Sequence, residues 1–359
     1  MGQYQDYRIT DAVDKINEEY FLPYIQRHFV WKEAQIMRLF DSLLRGYPIG
    51  TFLFWRTQNY VVRKRKFLVN YYQKYNTDFN IKKLGLEDTS SNSNTTLVLD
   101  GQQRLQSLFI ALKGKYEDGE LYFNLLSGEK ENDDGQLYEF RFLKIDHKND
   151  ENSLWVKVKD IYTNLAKRTY ISDVKDGILK ENKTIPHKKK KNMGKRIERN
   201  LEDFKNAIIT LPKISFYEES KEAPEKIFDI FVRVNSGGTP LSKSDLLFSF
   251  MKLQWKKYEA ENEFPELLEK INGNGQFKFD VDFILKTALV LIGAHVRYHT
   301  KSFSGEHGVR LTREIEQEWE EIQKSITTVV DLLRDEFFIR DDKLLPSANA
   351  IIPVIYYSS

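Results

Sequence analysis

Val98-Leu99-Asp100-Gly101-Gln102-Gln103-Arg104-Leu105 decides how the rest of the chain is read. Leu97, Val98 and Leu99 form a short apolar run, and Leu105, Leu108, Phe109, Ala111 and Leu112 recur afterwards at helical spacing, so the stretch is a strand, a tight polar turn and a helix. A glycine-containing turn at a helix start gathers backbone N–H groups and the positive end of the helix dipole at one point, which suits phosphate. Arg104 in the first helical turn adds a guanidinium able to clamp two phosphate oxygens. Asp100 suits a divalent cation, and Gln102 or Gln103 suits the orientation of an attacking water. A purely local reading competes, in which Asp100 caps the helix and Arg104 pairs with it. A cap needs one polar residue, not four in succession.

Upstream, Tyr20 to Tyr24 reads as an extended stretch interrupted by Pro23, followed by the polar group Gln26, Arg27 and His28 before Trp31. A helix is expected from Lys32 to Arg45, with Ile36, Leu39, Phe40, Leu43 and Leu44 on one face, stopped by Gly46. Ile49 to Arg56 reads as a strand. Residues 63 to 93 are polar and poorly periodic, which suggests a loop insertion. Downstream, strands are expected at Leu121 to Asn124, Tyr138 to Phe142, Leu154 to Val158 and Ile208 to Tyr217. Helices are expected at Pro224 to Val234, from Ser242 through Met251, from Phe283 to Gly293, and as one long helix carrying Leu311, Ile315, Trp319, Ile322, Ile326, Val329 and Leu333. The apolar end at Ile351 to Tyr357 suggests a chain cut within a larger protein, or a docked terminal segment.

Composition narrows the chemistry. The 359 residues include 24 Phe, 19 Tyr and 5 Trp, ample for a core and against disorder as the dominant state. The length suggests two domains, or one α/β domain with a large elaboration, and the second is expected. There is no cysteine, which removes thiolate nucleophiles, zinc knuckles and disulfides and fits a reducing cytoplasm. No apolar run approaches the roughly 20 residues of a spanning helix, so no membrane association is expected.

With 55 Lys plus Arg against 53 Asp plus Glu, the net charge of +2 gives no general pull toward nucleic acid. Local asymmetry is strongest at Lys183 to Arg199, where eight basic residues face Glu198 alone. Lys188, Lys189, Lys190, Lys191, Lys195 and Arg196 are the candidate DNA contacts, on what reads as a basic loop; a solvated surface segment explains them equally well.

Asn235-Ser236-Gly237-Gly238 offers glycines for positive φ and successive N–H groups for an anion nest, although capping also accounts for the glycines. No Walker-type loop and no zinc-binding spacing occurs. His295 and His299 stand at helical spacing but suit packing or surface better than metal, and Asp282 is the expected N-cap of the helix that follows it.

Taken together, LPYIQRHFVW (Leu22 to Trp31), DSLLRGYPIGTFLFW (Asp41 to Trp55), LVLDGQQRLQSL (Leu97 to Leu108) and FVRVNSGGTPLSKSDLL (Phe231 to Leu247) resemble the N-terminal domain of GmrSD-type modification-dependent restriction proteins. LLPSANAIIPVIYY (Leu344 to Tyr357) resembles the late helical region of that family. The domain is similar in layout to the ParB and sulfiredoxin nucleotide-binding fold.

The resemblance implies binding, and in several members hydrolysis, of a nucleoside triphosphate with Mg²⁺, in a system that attacks modified phage DNA. Carried over by position, Asp100, Gly101, Gln102, Gln103 and Arg104 form the triphosphate loop, Gln26 and Arg27 face it, and Asn235 completes the pocket. Family members usually continue into a nuclease domain with a His-rich signature, missing here, so a nuclease domain or subunit is an expected partner, with self-association left open.

The resulting expectation is an α+β chain from a bacterial or archaeal cytoplasm. A ParB-like core spans residues 1–125, a strand-rich elaboration with the basic loop 126–222, and a helical bundle 223–359. The leading function is a regulatory NTPase. The rivals are a non-hydrolytic DNA-recognition module and a DNA-nicking module acting through Asp100.

Overall fold

Strands that are apolar on both faces require cover on both faces. In the computed structural model, which describes residues 3–23, 28–57, 64–73, 87–88, 95–144, 149, 152–167, 170–181, 187–220, 230, 243–273, 275–294 and 305–359, the central strands meet that requirement. The chain opens with β1 (Gln3–Arg8), α1 (Ile9–Asp14), β2 (Tyr20–Pro23), α2 (Glu33–Leu44) and β3 (Phe52–Thr57). Three two-residue strands follow, β4 (Lys64–Arg65), β5 (Asn70–Tyr71) and β6 (Glu87–Asp88), then β7 (Thr95–Asp100) and α3 (Gln102–Lys113). Next come β8 (Lys115–Tyr116), β9 (Glu120–Asn124), β10 (Phe140–Leu143), β11 (Trp155–Lys157), α4 (Val158–Ala166), α5 (Ile171–Glu181) and α6 (His187–Lys205). A π-helical turn (Asn206–Thr210) leads into β12 (Pro212–Glu219). The described remainder is helical: α7 (Lys243–Gln254), α8 (Ala260–Asn272), α9 (Val281–Leu291), α10 (Gly305–Gln317), α11 (Trp319–Asp335) and α12 (Ile352–Ser358). The class is α+β.

Among the described residues the main sheet is mixed, in the order β1-β12-β3-β7-β2-β4-β6. β12 runs parallel to β3 and β2 parallel to β7, while β3 and β7 are antiparallel with a register shift between Leu53 and Phe54. Alternation sorts the side chains. Tyr20, Leu22, Phe52, Phe54 and Val98 enter the large cluster shared with α2, α3 and α4. Phe21, Leu53, Trp55, Leu97 and Leu99 face the other way and are covered by Phe250 of α7. Helices α7 to α12 share a further cluster, which includes Trp255, Phe264, Trp319 and Ile355.

Several expectations are corrected. The basic segment is not a loop: its backbone forms α6 from His187, because Ile197, Leu201 and Phe204 recur on one face and are fully buried. Among the described residues of 126–222 helix accordingly outweighs strand, and the region is not rich in strands. Ile208 and Ile209 continue the helix as the π turn, and the strand starts at Pro212. The strands expected at Tyr138 and Leu154 start at Phe140 and Trp155, and Val158 already belongs to α4. The long helix expected around Trp319 is two, α10 and α11, broken at Glu318 while the apolar stripe continues. Asp280, not Asp282, caps α9, accepting from the Phe283 N–H at 2.9 Å; Asp282 pairs instead with Ser244 and Lys286. The helix expected at Pro224 to Val234 lies outside the described residues apart from Ile230, and His295 and His299 lie wholly outside them.

Phe54 is fully buried, its ring centroid 4.6 Å from that of Phe216 and 4.9 Å from that of Tyr20. Phe54→Ala is expected to cost about 3–5 kcal/mol by transfer and cavity effects, measured as a shift in urea midpoint at unchanged slope.

Candidate functional site

The polar turn between β7 and α3 is built on close contact. Gly101 has φ +86°, and a Cβ there would stand 2.2 Å from the Phe52 ring. Only glycine fits such a position without displacing β3. Gly101 is also the N-cap residue, and α3 has no side-chain cap. Asp100 therefore does not cap the helix, while the other half of the local reading holds: Arg104 Nη2 lies 3.2 Å from Asp100 Oδ2. A glycine at this position brings no side-chain acceptor of its own to the first turn of α3, where the helix dipole favours an anion.

Arg104 does more than pair with Asp100. Its Nη1 donates to the Ile49 carbonyl and its Nη2 to that of Thr51 at 3.0 Å, and the guanidinium carbon lies 4.5 Å from the Phe52 ring centroid. The bare backbone of Gly50 admits it, since a Cβ at that residue would stand 2.6 Å from Nη1. Burial pushes the Arg104 guanidinium below the usual arginine range and Asp100 opposes the shift; arginine nonetheless stays charged in proteins.

Gln103 is buried and engaged at both ends of its amide. Its Oε1 accepts from Val30 N–H at 2.9 Å and its Nε2 donates to the His28 carbonyl at 3.1 Å. Gln102 beside it is only partly buried. A cleft of about 10 Å³, room for about one water, runs alongside, walled by Leu22, His28, Arg65, Lys66, Gln102 and Gln106 among others. Arg65 Nη1 lies 2.9 Å from His28 Nδ1.

Asp100, Gly101, Gln102, Gln103 and Arg104 are thus together at one turn. Gln26, Arg27 and Asn235 lie outside the described residues. Lys188 to Lys191 fall in the first half of α6 and Lys195 is exposed, whereas Arg196 pairs with Glu129 and donates to the Leu126 carbonyl at 3.0 Å. Sequence reasoning missed Lys64 and Arg65, both buried. Lys64 Nζ donates to Thr95 Oγ1 at 2.9 Å and lies 4.4 Å from the Phe21 ring centroid. The available signal was the basic quartet Arg63 to Lys66 set between Val61-Val62 and Phe67-Leu68-Val69. Among the described residues no group of three or more metal-ligating side chains occurs, and no helix is long and apolar enough to cross a membrane.

Two glycine substitutions separate backbone strain from contact. Gly46 has φ +77° with open space around its Cβ position. Gly46→Ala is expected to cost about 1 kcal/mol, and Gly101→Ala about 2–4 kcal/mol because overpacking against Phe52 adds to the strain; thermal melts of the two variants measure the difference.

Uncharacterized protein MJ0686 of Methanocaldococcus jannaschii is 27% identical over 272 residues, 70% of this chain and 43% of the relative. The chain spans less than half the length of that curated relative. Residues 9–252, well over half of the chain and including β2, the Gly101 turn and part of α7, match the family described as GmrSD restriction endonuclease, N-terminal domain. The chain belongs to the family of GmrSD restriction endonuclease N-terminal domains.

Proposed function

We propose that the chain is a nucleoside triphosphate-binding and hydrolysing regulatory part of a restriction system acting on modified phage DNA, built on a ParB-like core and working with a nuclease domain or subunit. The observation that carries the reading is the start of α3 at Gly101, a left-handed glycine N-cap, with the Asp100–Arg104 pair at the same turn and a cleft lined by His28, Arg65 and Gln102. Backbone N–H groups, a helix dipole and the nearby guanidinium group of Arg104 suit the chemistry of a polyphosphate. Gln102, partly buried and on the lining of the cleft, is the residue proposed to orient an attacking water.

Mg²⁺ fits the site in one mode. A cation that arrives with a triphosphate takes most of its ligands from phosphate and water and needs one or two carboxylates, so Asp100 would suffice. Bound there, it would neutralise phosphate charge. The residues of this chain hold the turn and supply N–H donors.

A second reading, a non-hydrolytic nucleotide switch, draws support from the engagement of both Gln103 and Arg104 with backbone. The two part on phosphate release from ATP, GTP, CTP and UTP with Mg²⁺, with and without duplex DNA carrying modified bases. Hydrolysis predicts release by the wild type, reduced about a hundredfold in Gln102→Ala by loss of water positioning. Binding without release favours the switch, and neither sinks both. Arg104→Lys is a safer probe of the arginine than Arg104→Ala, because Arg104 also holds the residues around Gly50.

The basic N-terminal half of α6 is the proposed DNA contact. Replacing Lys188, Lys189, Lys190 and Lys191 by Ala should flatten the dependence of log affinity on log salt by about 0.9 for each phosphate contact removed. An unchanged slope takes α6 out of the DNA interface.

A further inference from the structure

Three side chains of α3 each hold a different segment around the cleft. Gln103 holds the backbone of His28 and Val30, Arg104 holds the carbonyls of Ile49 and Thr51, and Gln106 holds Leu68, accepting from its N–H at 2.9 Å and donating to its carbonyl at 2.6 Å. Gln103 and Gln106 act as a neighbouring strand would, one donor and one acceptor to a single short stretch of backbone. The segment that Gln103 holds includes the backbone of His28, whose ring nitrogen Nδ1 meets the Arg65 guanidinium at 2.9 Å. Arg65 in turn is fixed on β4, paired with Leu22 of β2.

We infer that Gln103 is a positioning residue, one that sets His28, and through His28 the Arg65 guanidinium, on the wall of the cleft beside the Gly101–Gln102 turn. The inference rests on the reading of the Gly101 turn as a triphosphate site and assigns His28 and Arg65, on the one-water cleft beside it, to the phosphate groups of the nucleotide. Loss of the Gln103 amide loosens this wall without removing a group from the reacting atoms. Nucleotide binding falls, and turnover of the nucleotide that does bind continues.

The test uses the full chain with Mg²⁺ and each of ATP, GTP, CTP and UTP, in Gln103→Ala, the equal-length Gln103→Glu, His28→Gln and the Gln103→Ala/His28→Gln double variant. Thermal melts establish that each variant is folded, and Gln103→Glu serves where Gln103→Ala is not. The expected result is a KM raised about tenfold with kcat within about threefold. In the His28→Gln background the Gln103→Ala change should raise KM by less than about twofold, because two residues acting through one contact are not additive. Amide hydrogen exchange at residues 28–31 should be faster in Gln103→Ala, and nucleotide should slow it in the wild type. A fall in kcat at unchanged KM, or fully additive effects on KM, overturns the assignment by making Gln103 catalytic or independent of His28. Wild-type protein that neither binds nor turns over any of the four nucleotides overturns the triphosphate reading itself, an outcome seen without any variant and so separable from failure of the positioning role.

Discussion

The approach of the Gly101 backbone to the Phe52 ring governs the geometry around it. A side chain at Gly101 would push β3 away from the end of β7, and with β3 would go the carbonyls of Ile49 and Thr51 that receive Arg104. Phe52 serves three ends at once: its ring closes on Gly101, faces the Arg104 guanidinium, and enters the core beside Phe54 at 6.2 Å between centroids. The turn and the core are therefore one packing problem. A turn held this way presents its N–H groups at a fixed angle, as a preorganised anion site requires.

The sheet extends that constraint through the molecule. Because adjacent residues of β2, β3 and β7 enter different apolar clusters, a slip of one residue would exchange the two sets of side chains completely. Register is thus specified from both sides, by α2 and α3 on one face and by α7 on the other. Phe250 ties the helical C-terminal part to the same three strands that deliver the candidate site.

Much of this was legible in the sequence. The helix expected at Lys32 to Arg45 is found at Glu33–Leu44 with all five of its expected core residues buried, and the strand, turn and helix around Asp100 stand where periodicity put them. What was not legible turns on distant neighbours. The choice between Asp280 and Asp282 as a cap turns on Ser244, 38 residues from Asp282, which with Lys286 one turn along the helix engages the second carboxylate and leaves the first for the cap. In α6 the density of lysine obscured the spacing of Ile197, Leu201, Phe204 and Ile208, an apolar stripe at intervals of four, three and four. Lys64 and Arg65 fell within the polar stretch read as a loop insertion, and their burial goes with the pairing of β4 with β2. The roles of Gln103 and Gln106 were hidden for the same reason, since their backbone partners lie 73 to 75 and 38 residues away.

Side-chain amides recur as clamps well beyond the candidate site. Asn17 holds Phe67 and Asn272 holds Phe279 by the same paired donor and acceptor. An amide carries no charge and does not titrate between acid and alkaline pH, and an uncharged contact escapes ionic screening. The backbone segments beside the cleft are in this way held by contacts that ionic conditions leave alone. Salt can then act on the charged groups of the lining, Arg65 and Lys66, while the backbone that carries the wall keeps its place.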